Sequence, residues 1–116
     1  MTITRLQPGK RMSQAVKHGN TVYLAGQVAN DPNGTIEQQT REVLAAIDKL
    51  LAEAGTSKSK VLSCQVILNN IGDFAAMNSV YDTWIDPANP PTRACIEARL
   101  AHPALKVEVI AVAALD

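Results

Sequence analysis

The sequence predicts an α+β protein of two layers, in which two helices cover one face of a mixed sheet. Five stretches are rich in β-branched or alternating apolar residues, and two other stretches repeat apolar residues at helical spacing. Their order along the chain is ββαβαββ. Helices that lie between strands imply crossover connections, and two helices can cover only one face of a sheet this wide. The length of 116 residues fits a single domain over residues 1–116.

The first two strands lie within residues 13–28, SQAVKHGNTVYLAGQV. Two β-prone runs flank Gly19 and Asn20, residue types that tolerate positive φ, so the pair predicts a hairpin turn. Gly26, inside the second strand, indicates a bulge or a close approach of another group to the backbone. The segment NDPNG at 30–34 predicts a second turn.

Two helices follow from capping residues and apolar spacing. Thr35 and Gln38 have the spacing of a capping box, and Gly55 is a typical C-terminal stop for the first helix. The second helix begins near Asp73, a good N-cap residue, and prolines from Pro87 onward end it. Its predicted core stripe consists of Phe74, Met77, Tyr81, Trp84 and Ile85.

Three further strands are predicted at 60–69, 91–100 and 105–115. In the first, we assign Leu62, Cys64, Val66 and Leu68 to the core. In the second, alternation places Thr92, Ala94 and Ile96 on the helix-covered side and Arg93 and Cys95 on the opposite face. In the third, Val107, Val109, Ala111 and Ala113 share one side, and Lys106, Glu108, Ile110 and Val112 share the other. The uncovered face is thus charged at one end and apolar at the other, which favours a homo-oligomer interface over open solvent.

Composition excludes several classes of function. Acidic and basic residues balance at 11 each, and there are only one Trp, one Phe and two Tyr. Neither bulk charge nor base stacking therefore favours nucleic-acid binding. The two cysteines and two histidines show no metal-ligand spacing, so no metal is predicted. No apolar run has the length of a membrane span, and the start lacks the apolar run of a signal peptide, so we expect a cytoplasmic protein.

Four segments together resemble the reactive-intermediate deaminase family (RidA, also called YjgF or L-PSP endoribonuclease-like). They are HGNTVYLAGQV, DFAAMNSVYDTW, PPTRACIEARL and KVEVIAVA, in this order along the chain. The segment RMSQAV is more similar to a side branch of the family, because the archetype has a Gly-x-Tyr segment there. The resemblance implies a chorismate-mutase-like fold and a homotrimer with clefts between subunits. It also implies hydrolysis of 2-imino or enamine acids to 2-keto acids and ammonia, with no cofactor and no metal.

The resemblance also implies site residues. Arg93 matches the arginine that binds the substrate carboxylate, and Cys95 matches the neighbouring cysteine, whose backbone contacts the site; these two are the candidate catalytic residues. Asn78, Gly26 and Gln27 match residues that border the pocket, so with Arg93 they are the candidate substrate-binding residues.

At two other positions the sequence departs from the archetype. Ala25 replaces a serine, and Ile110 replaces a glutamate that positions the water in the archetype. We therefore expect weaker or altered activity at this site.

The residues also permit other roles for Arg93 and Cys95 and other functions for the protein. By pattern alone, Arg93 is more typical of a solvated or interface arginine than of a ligand site. Cys95 has no visible base in the sequence, so a packing or backbone role competes with a nucleophilic one. A non-catalytic, small-carboxylate-binding trimer is the main rival to the deaminase. A ribonuclease is favoured least, because charge and aromatic content give RNA little to bind.

Overall fold

The computed structural model describes residues 2–116, which form seven strands, two α-helices and two short 3₁₀ turns. The strands are β1 (Ile3–Leu6), β2 (Ala15–His18), β3 (Thr21–Leu24), β4 (Gln27–Val28), β5 (Val61–Leu68), β6 (Thr92–Glu97) and β7 (Val107–Ala114). The helices are α1 (Ile36–Ala54) and α2 (Phe74–Trp84), and the 3₁₀ turns are Lys58–Lys60 and Ile71–Asp73. Within residues 2–116, neither helix combines the length and hydropathy that a membrane span requires.

The strands form one mixed sheet in the order β1-β2-β3-β7-β5-β6, with the short β4 also paired to β7. β5 and β6 are parallel, and the other pairs are antiparallel. Both helices pack on one face, where their apolar stripes share a core with the inward residues of the central strands. The predicted fold is therefore confirmed, and the order ββαβαββ is present with two additional short strands.

The additional strands have identifiable causes. β1 lies at the sheet edge, and its side chains are largely exposed, with Ile3 at 47% exposure. Its sequence therefore lacks the alternation of apolar and polar residues that would predict a strand. The second predicted strand is divided into β3 and β4 at Ala25 and Gly26. A Cβ built on Gly26 would lie 2.9 Å from the carboxyl carbon of Glu108 in β7. A side chain at position 26 would have to displace this carboxylate, as the close-approach interpretation of Gly26 expects.

The predicted hairpin and the caps of α1 are confirmed, whereas Asp73 precedes α2 as predicted but its side chain makes no capping hydrogen bond. Gly19 has φ of 61°, and it turns β2 into β3 where His18 pairs with Thr21. Thr35 and Gln38 form both bonds of the capping box, and Gly55 ends α1 in the left-handed conformation at φ 92°.

A bulge at the start of β5 overturns one core assignment. The register with β7 shifts between Val61 and Ser63, so Val61 is buried and Leu62 is 51% exposed. The prediction that Leu62 lies in the core is wrong, because one extra residue changes which side chains face the helices. Cys64, Val66 and Leu68 are buried as predicted.

The predicted facing of β6 is also wrong. In the parallel pair, Cys64 lies beside Arg93 and Val66 beside Cys95, and residues paired in this way share a face. Because Cys64 and Val66 are buried beneath the helices, Arg93 and Cys95 face α2. Ile96 faces away from the helices and is 45% exposed. β6 is an edge strand with exposed residues on both sides, so polarity does not identify its covered face.

The uncovered side of the sheet, called the open face below, follows the prediction for β7. Every second residue from Val107 is buried, whereas Glu108, Ile110 and Val112 are half-buried. Neighbouring strands add apolar side chains to this face, namely Tyr23, Ile67 and Ile96. The open face therefore has an apolar area around β7, with Glu108 at one end and the polar Ser63 and Gln65 of β5 beside it.

Candidate functional site

The candidate site is centred on the guanidinium of Arg93, where the edge strand β6 meets α2. Asn78 Oδ1 accepts a hydrogen bond of 2.6 Å from Nη1 of Arg93. The guanidinium carbon lies 4.7 Å from the ring centre of Tyr81 and 5.6 Å from that of Phe74. Both distances lie within the range of cation–π contacts. We call Arg93 and these three α2 residues the Arg93 site.

The local sequence explains why these four residues meet. Phe74, Asn78 and Tyr81 follow the spacing i, i+4, i+7, so they lie along one face of α2. β6 begins directly after Pro90 and Pro91, and its parallel register on β5 turns Arg93 towards that helix face. The helix therefore presents two rings and one amide to a single cation.

The guanidinium retains most of its hydrogen-bonding capacity. Arginine has five N–H donors, and within residues 2–116 Asn78 is the only hydrogen-bond partner of the Arg93 side chain. That partner is a neutral amide, so it leaves the positive charge uncompensated. Arg93 is exposed, so a carboxylate can reach the free donors.

Burial keeps the groups beneath the guanidinium protonated. It raises the pKa of the Cys64 thiol to about 11 and that of Tyr81 to about 12, although Arg93 opposes both shifts. It also raises the pKa of Cys95 above its usual value, again against the effect of Arg93. Cys95 is therefore a thiol and not a thiolate at neutral pH, which favours a main-chain or packing role over a nucleophilic one.

Gly26 and Gln27 lie far from Arg93 within one chain. β4, which begins at Gln27, is separated from β6 by β7 and β5, or about 14 Å at the usual strand spacing. The Gln27 amide donates to Gln14 Oε1 at 3.2 Å and to the carbonyl of Ala25 at 3.0 Å. A short ligand at Arg93 cannot touch these residues of the same chain.

The open face carries a shallow depression of about 450 Å³ near the start of β6. Its lining consists of Ser63, Cys64, Gln65, Thr92, Arg93, Ala94, Ile110 and Val112. Arg93 therefore borders the same depression as Ile110. Ile110, which the family resemblance matches to a glutamate of the archetype, gives this depression an apolar wall. No group of three or more potential metal ligands occurs within residues 2–116.

Sequence reasoning missed the contacts of Phe74 and Tyr81 with Arg93 and assigned both residues to the core. Tyr81 is 7% exposed and does pack in the core, but Phe74 is 41% exposed. The signal that could have identified them is their helical spacing around Asn78. That signal has meaning only if Arg93 faces α2, and the predicted facing of β6 placed it on the other side.

Known proteins resemble this sequence over nearly its whole length. The family model described as Endoribonuclease L-PSP matches residues 2–115. A RutC family protein of Haemophilus influenzae is 47% identical over 117 residues, covering 97% of this chain and 98% of that protein. The RutC family protein YoaB of Escherichia coli is 38% identical over 115 residues, covering 99% of this chain and 100% of that protein.

Solved structures give the same result. A member of the YjgF protein family from Neisseria meningitidis has a TM-score of 0.97 at 40% identity, covering 100% of this chain and 97% of that chain. An uncharacterised protein from Pseudomonas aeruginosa has a TM-score of 0.96 at 44% identity, covering 99% and 100%. The predicted family is thereby confirmed: the chain belongs to the Endoribonuclease L-PSP family, to whose relatives the names RutC and YjgF are attached.

Proposed function

We propose that this protein hydrolyses reactive 2-imino or enamine acids to 2-keto acids and ammonia, with Arg93 binding the substrate carboxylate. The observation that carries the proposal is the exposed guanidinium, which two rings and one neutral amide hold at the edge of the sheet. Membership of the family supports a deaminase or endoribonuclease-like role in general. The balanced charge of the chain favours a small carboxylate over RNA as the ligand.

Carboxylate capture follows from the geometry of arginine. Its planar fork donates two parallel hydrogen bonds to the two oxygens of a carboxylate, which fixes both position and orientation. One Nη1 bond to Asn78 still leaves enough donors for such a pair. The neutral Tyr81 and Cys64 beneath the guanidinium do not compete for its charge.

The chemical step needs little from the protein beyond positioning. The oxygen of water adds to the imine carbon, and the C=N π electrons move to nitrogen, which takes up a proton. The nitrogen of the resulting carbinolamine takes up a second proton and leaves as ammonia, while the hydroxyl loses its proton and the C=O bond forms. Holding imine and water together can lower such a barrier by several kcal/mol. β6 is an edge strand, so main-chain groups near Cys95 face outwards and can orient the water.

We further propose that the working unit is a homotrimer with its sites between chains. Arg93 and the pair Gly26–Gln27 are about 14 Å apart in one chain, so one small ligand can contact both only if they come from different chains. The open face supplies an apolar surface for assembly, including Tyr23 at 50% exposure and Ile96 at 45%. Light scattering that gives the mass of one chain at micromolar concentration would reject this assembly.

A second function, a non-catalytic carboxylate-binding trimer, is favoured by one observation. Ile110 occupies the position of the archetypal glutamate, and it gives the depression on the open face an apolar wall. A general base typically contributes ~10²-fold or more to a rate, so its absence weakens hydrolysis without affecting capture of the carboxylate.

An imine-trapping assay separates the two functions. A source enzyme releases 2-iminobutyrate or 2-iminopropionate, and semicarbazide traps what has not been hydrolysed. We expect the wild-type protein to lower the trapped signal and Arg93→Ala to abolish this effect. Arg99→Ala is the matched control, because Arg99 is also exposed but lies outside the Arg93 site. If wild type never lowers the signal while 2-oxobutyrate still raises its melting temperature, the binding function replaces the deaminase.

A further inference from the structure

Phe74 and Tyr81 contact the guanidinium of Arg93 directly, yet neither matches a residue that the family resemblance assigned to the site. Their ring centres lie 5.6 Å and 4.7 Å from its central carbon. We propose that Phe74 and Tyr81 are positioning residues, an aromatic clamp that fixes the guanidinium plane and leaves its free donors towards the ligand. The proposal rests on the proposed function, in that it takes Arg93 to be the carboxylate-binding group.

Tyr81 is the rigid half of the clamp. It is 7% exposed, and its ring centre lies 5.8 Å from that of Trp84 at an interplanar angle of 53°. Trp84 in turn donates from Nε1 to Asp48 Oδ1 of α1 at 2.9 Å. A continuous set of contacts therefore runs from α1 through two aromatic rings to the guanidinium. Burial keeps the Tyr81 phenol protonated, so the contact with Arg93 is one between a cation and a neutral ring.

Phe74 is the exposed half of the clamp. Phe74, on the first turn of α2, stays 41% exposed, so burial in the core accounts for only part of its position. Its proximity to the guanidinium explains its position better than packing does. The ring removes one side of the guanidinium from water, and less hydrated donors form stronger bonds with a carboxylate.

Asn78 completes the arrangement from the same helix face. Its bond to Nη1 at 2.6 Å fixes rotation of the guanidinium within its plane, whereas the rings fix the tilt of that plane. Without the rings, the long arginine side chain would sample many rotamers, and ordering them would then oppose ligand binding. The clamp therefore acts on affinity for the carboxylate more than on the chemical step.

The direct test is the NMR signal of the Arg93 Nε–Hε group, because a nearby ring shifts that proton. Arg93→Lys identifies the signal. We expect Phe74→Leu and Tyr81→Leu each to move it, Tyr81→Phe to leave it nearly unchanged, and Ile71→Ala to have no effect. Ile71 is the matched control for Phe74, being an exposed apolar residue of the same segment at 47% exposure.

Ligand binding and kinetics complete the experiment. We expect Phe74→Leu to weaken binding of 2-oxobutyrate about 3- to 30-fold, and Phe74→Tyr to restore it. In the trapping assay, KM rises by the same factor and kcat is unchanged, which is the pattern of lost uniform binding. Phe74 is exposed, so Phe74→Leu keeps the clamp testable if Tyr81→Leu unfolds.

The outcomes separate the clamp from the deaminase. If Phe74→Leu changes neither the Arg93 signal nor the affinity for 2-oxobutyrate while Arg93→Ala abolishes activity, the clamp is wrong and the deaminase stands. If Phe74→Leu moves the signal and weakens 2-oxobutyrate binding while imine is never hydrolysed, the clamp stands and the deaminase is wrong. A fall in kcat at constant KM would also overturn the clamp, because it would indicate a role in the chemical step.

Discussion

Replacement of the buried amide of Gln39 by a side chain of the same shape should destabilise the fold clearly. Gln39 is 0% exposed, and the two N–H groups of its Nε2 are shared among the carbonyls of Pro32, Gly34 and Ala104, each 3.2 Å away. Its Oε1 accepts a bond of 2.9 Å from the amide of Lys106. One side chain thus joins α1 to the turn before it and to the loop between β6 and β7. Gln39→Met keeps the length of the side chain and removes these bonds.

The magnitude follows from the burial of each partner. The bond to the Gly34 carbonyl is fully buried, so leaving this acceptor without a partner costs ~1–3 kcal/mol. The other partners are partly buried and can recruit water, so each should cost a smaller amount. Together we expect a loss of about 2–4 kcal/mol in the free energy of unfolding.

Urea unfolding followed by circular dichroism measures this loss. For a domain of this size it corresponds to a fall in Tm of about 10 °C. Lys49→Met is the control, because Lys49 is exposed on the same helix and should change stability by no more than about 0.5 kcal/mol. A Gln39→Met variant within that same range would refute the reasoning, since it would show that the network does not stabilise the fold.

Three further variants test the buried thiol of Cys64, the apolar wall at Ile110 and the close approach at Gly26. The folded-state pKa of Cys64 is raised to about 11 from 9.0, so its contribution is complete below pH 9 and is lost as pH rises through 11. This contribution to the free energy of unfolding amounts to about 2–3 kcal/mol. Urea titrations should therefore show that Cys64→Ala loses less stability than wild type between pH 8 and 11. Equal losses in the two proteins would contradict this. Ile110→Glu should raise turnover in the trapping assay, by up to ~10²-fold if the glutamate acts as a general base; an unchanged rate at unchanged oligomeric mass would count against the proposed role of this position. Gly26→Ala must displace the Glu108 carboxylate. The variant should lower activity in the trapping assay about 5-fold or more, while the free energy of unfolding changes by less than about 1 kcal/mol. Full activity would place Gly26 outside the site.

Most of the fold could be predicted because local rules and burial agree. The capping box at Thr35, the stop at Gly55 and the alternation of β7 each depend on neighbours in sequence, and each is found in the structure. The bulge after Val61 could not be predicted in this way. It depends on how β5 aligns with a strand more than forty residues further along the chain.

The sequence identifies Arg93 as the central residue of the site, but it does not predict which side chains surround the guanidinium. Family resemblance identified Arg93 and Asn78, and the structure joins them by a hydrogen bond. The facing of β6 was wrong because alternation at an edge strand does not state which side the helices cover. Helical spacing alone predicts Phe74 and Tyr81 as core residues, whereas the structure places both rings against the cation.

Because the Arg93 site lies at an edge strand, one chain and the assembly should contribute different parts of the proposed function. Everything that holds the guanidinium comes from α2 and β6 of one chain, so the proposed carboxylate capture should need no second chain. Gly26 and Gln27 lie across two intervening strands, so they can border the same ligand only in an assembly. A variant that carries a charge at Ile96 on the open face should therefore separate into single chains that still bind a keto acid. Because the second wall of the cleft would be missing, these chains should no longer hold a water beside the imine, and binding would persist where hydrolysis does not.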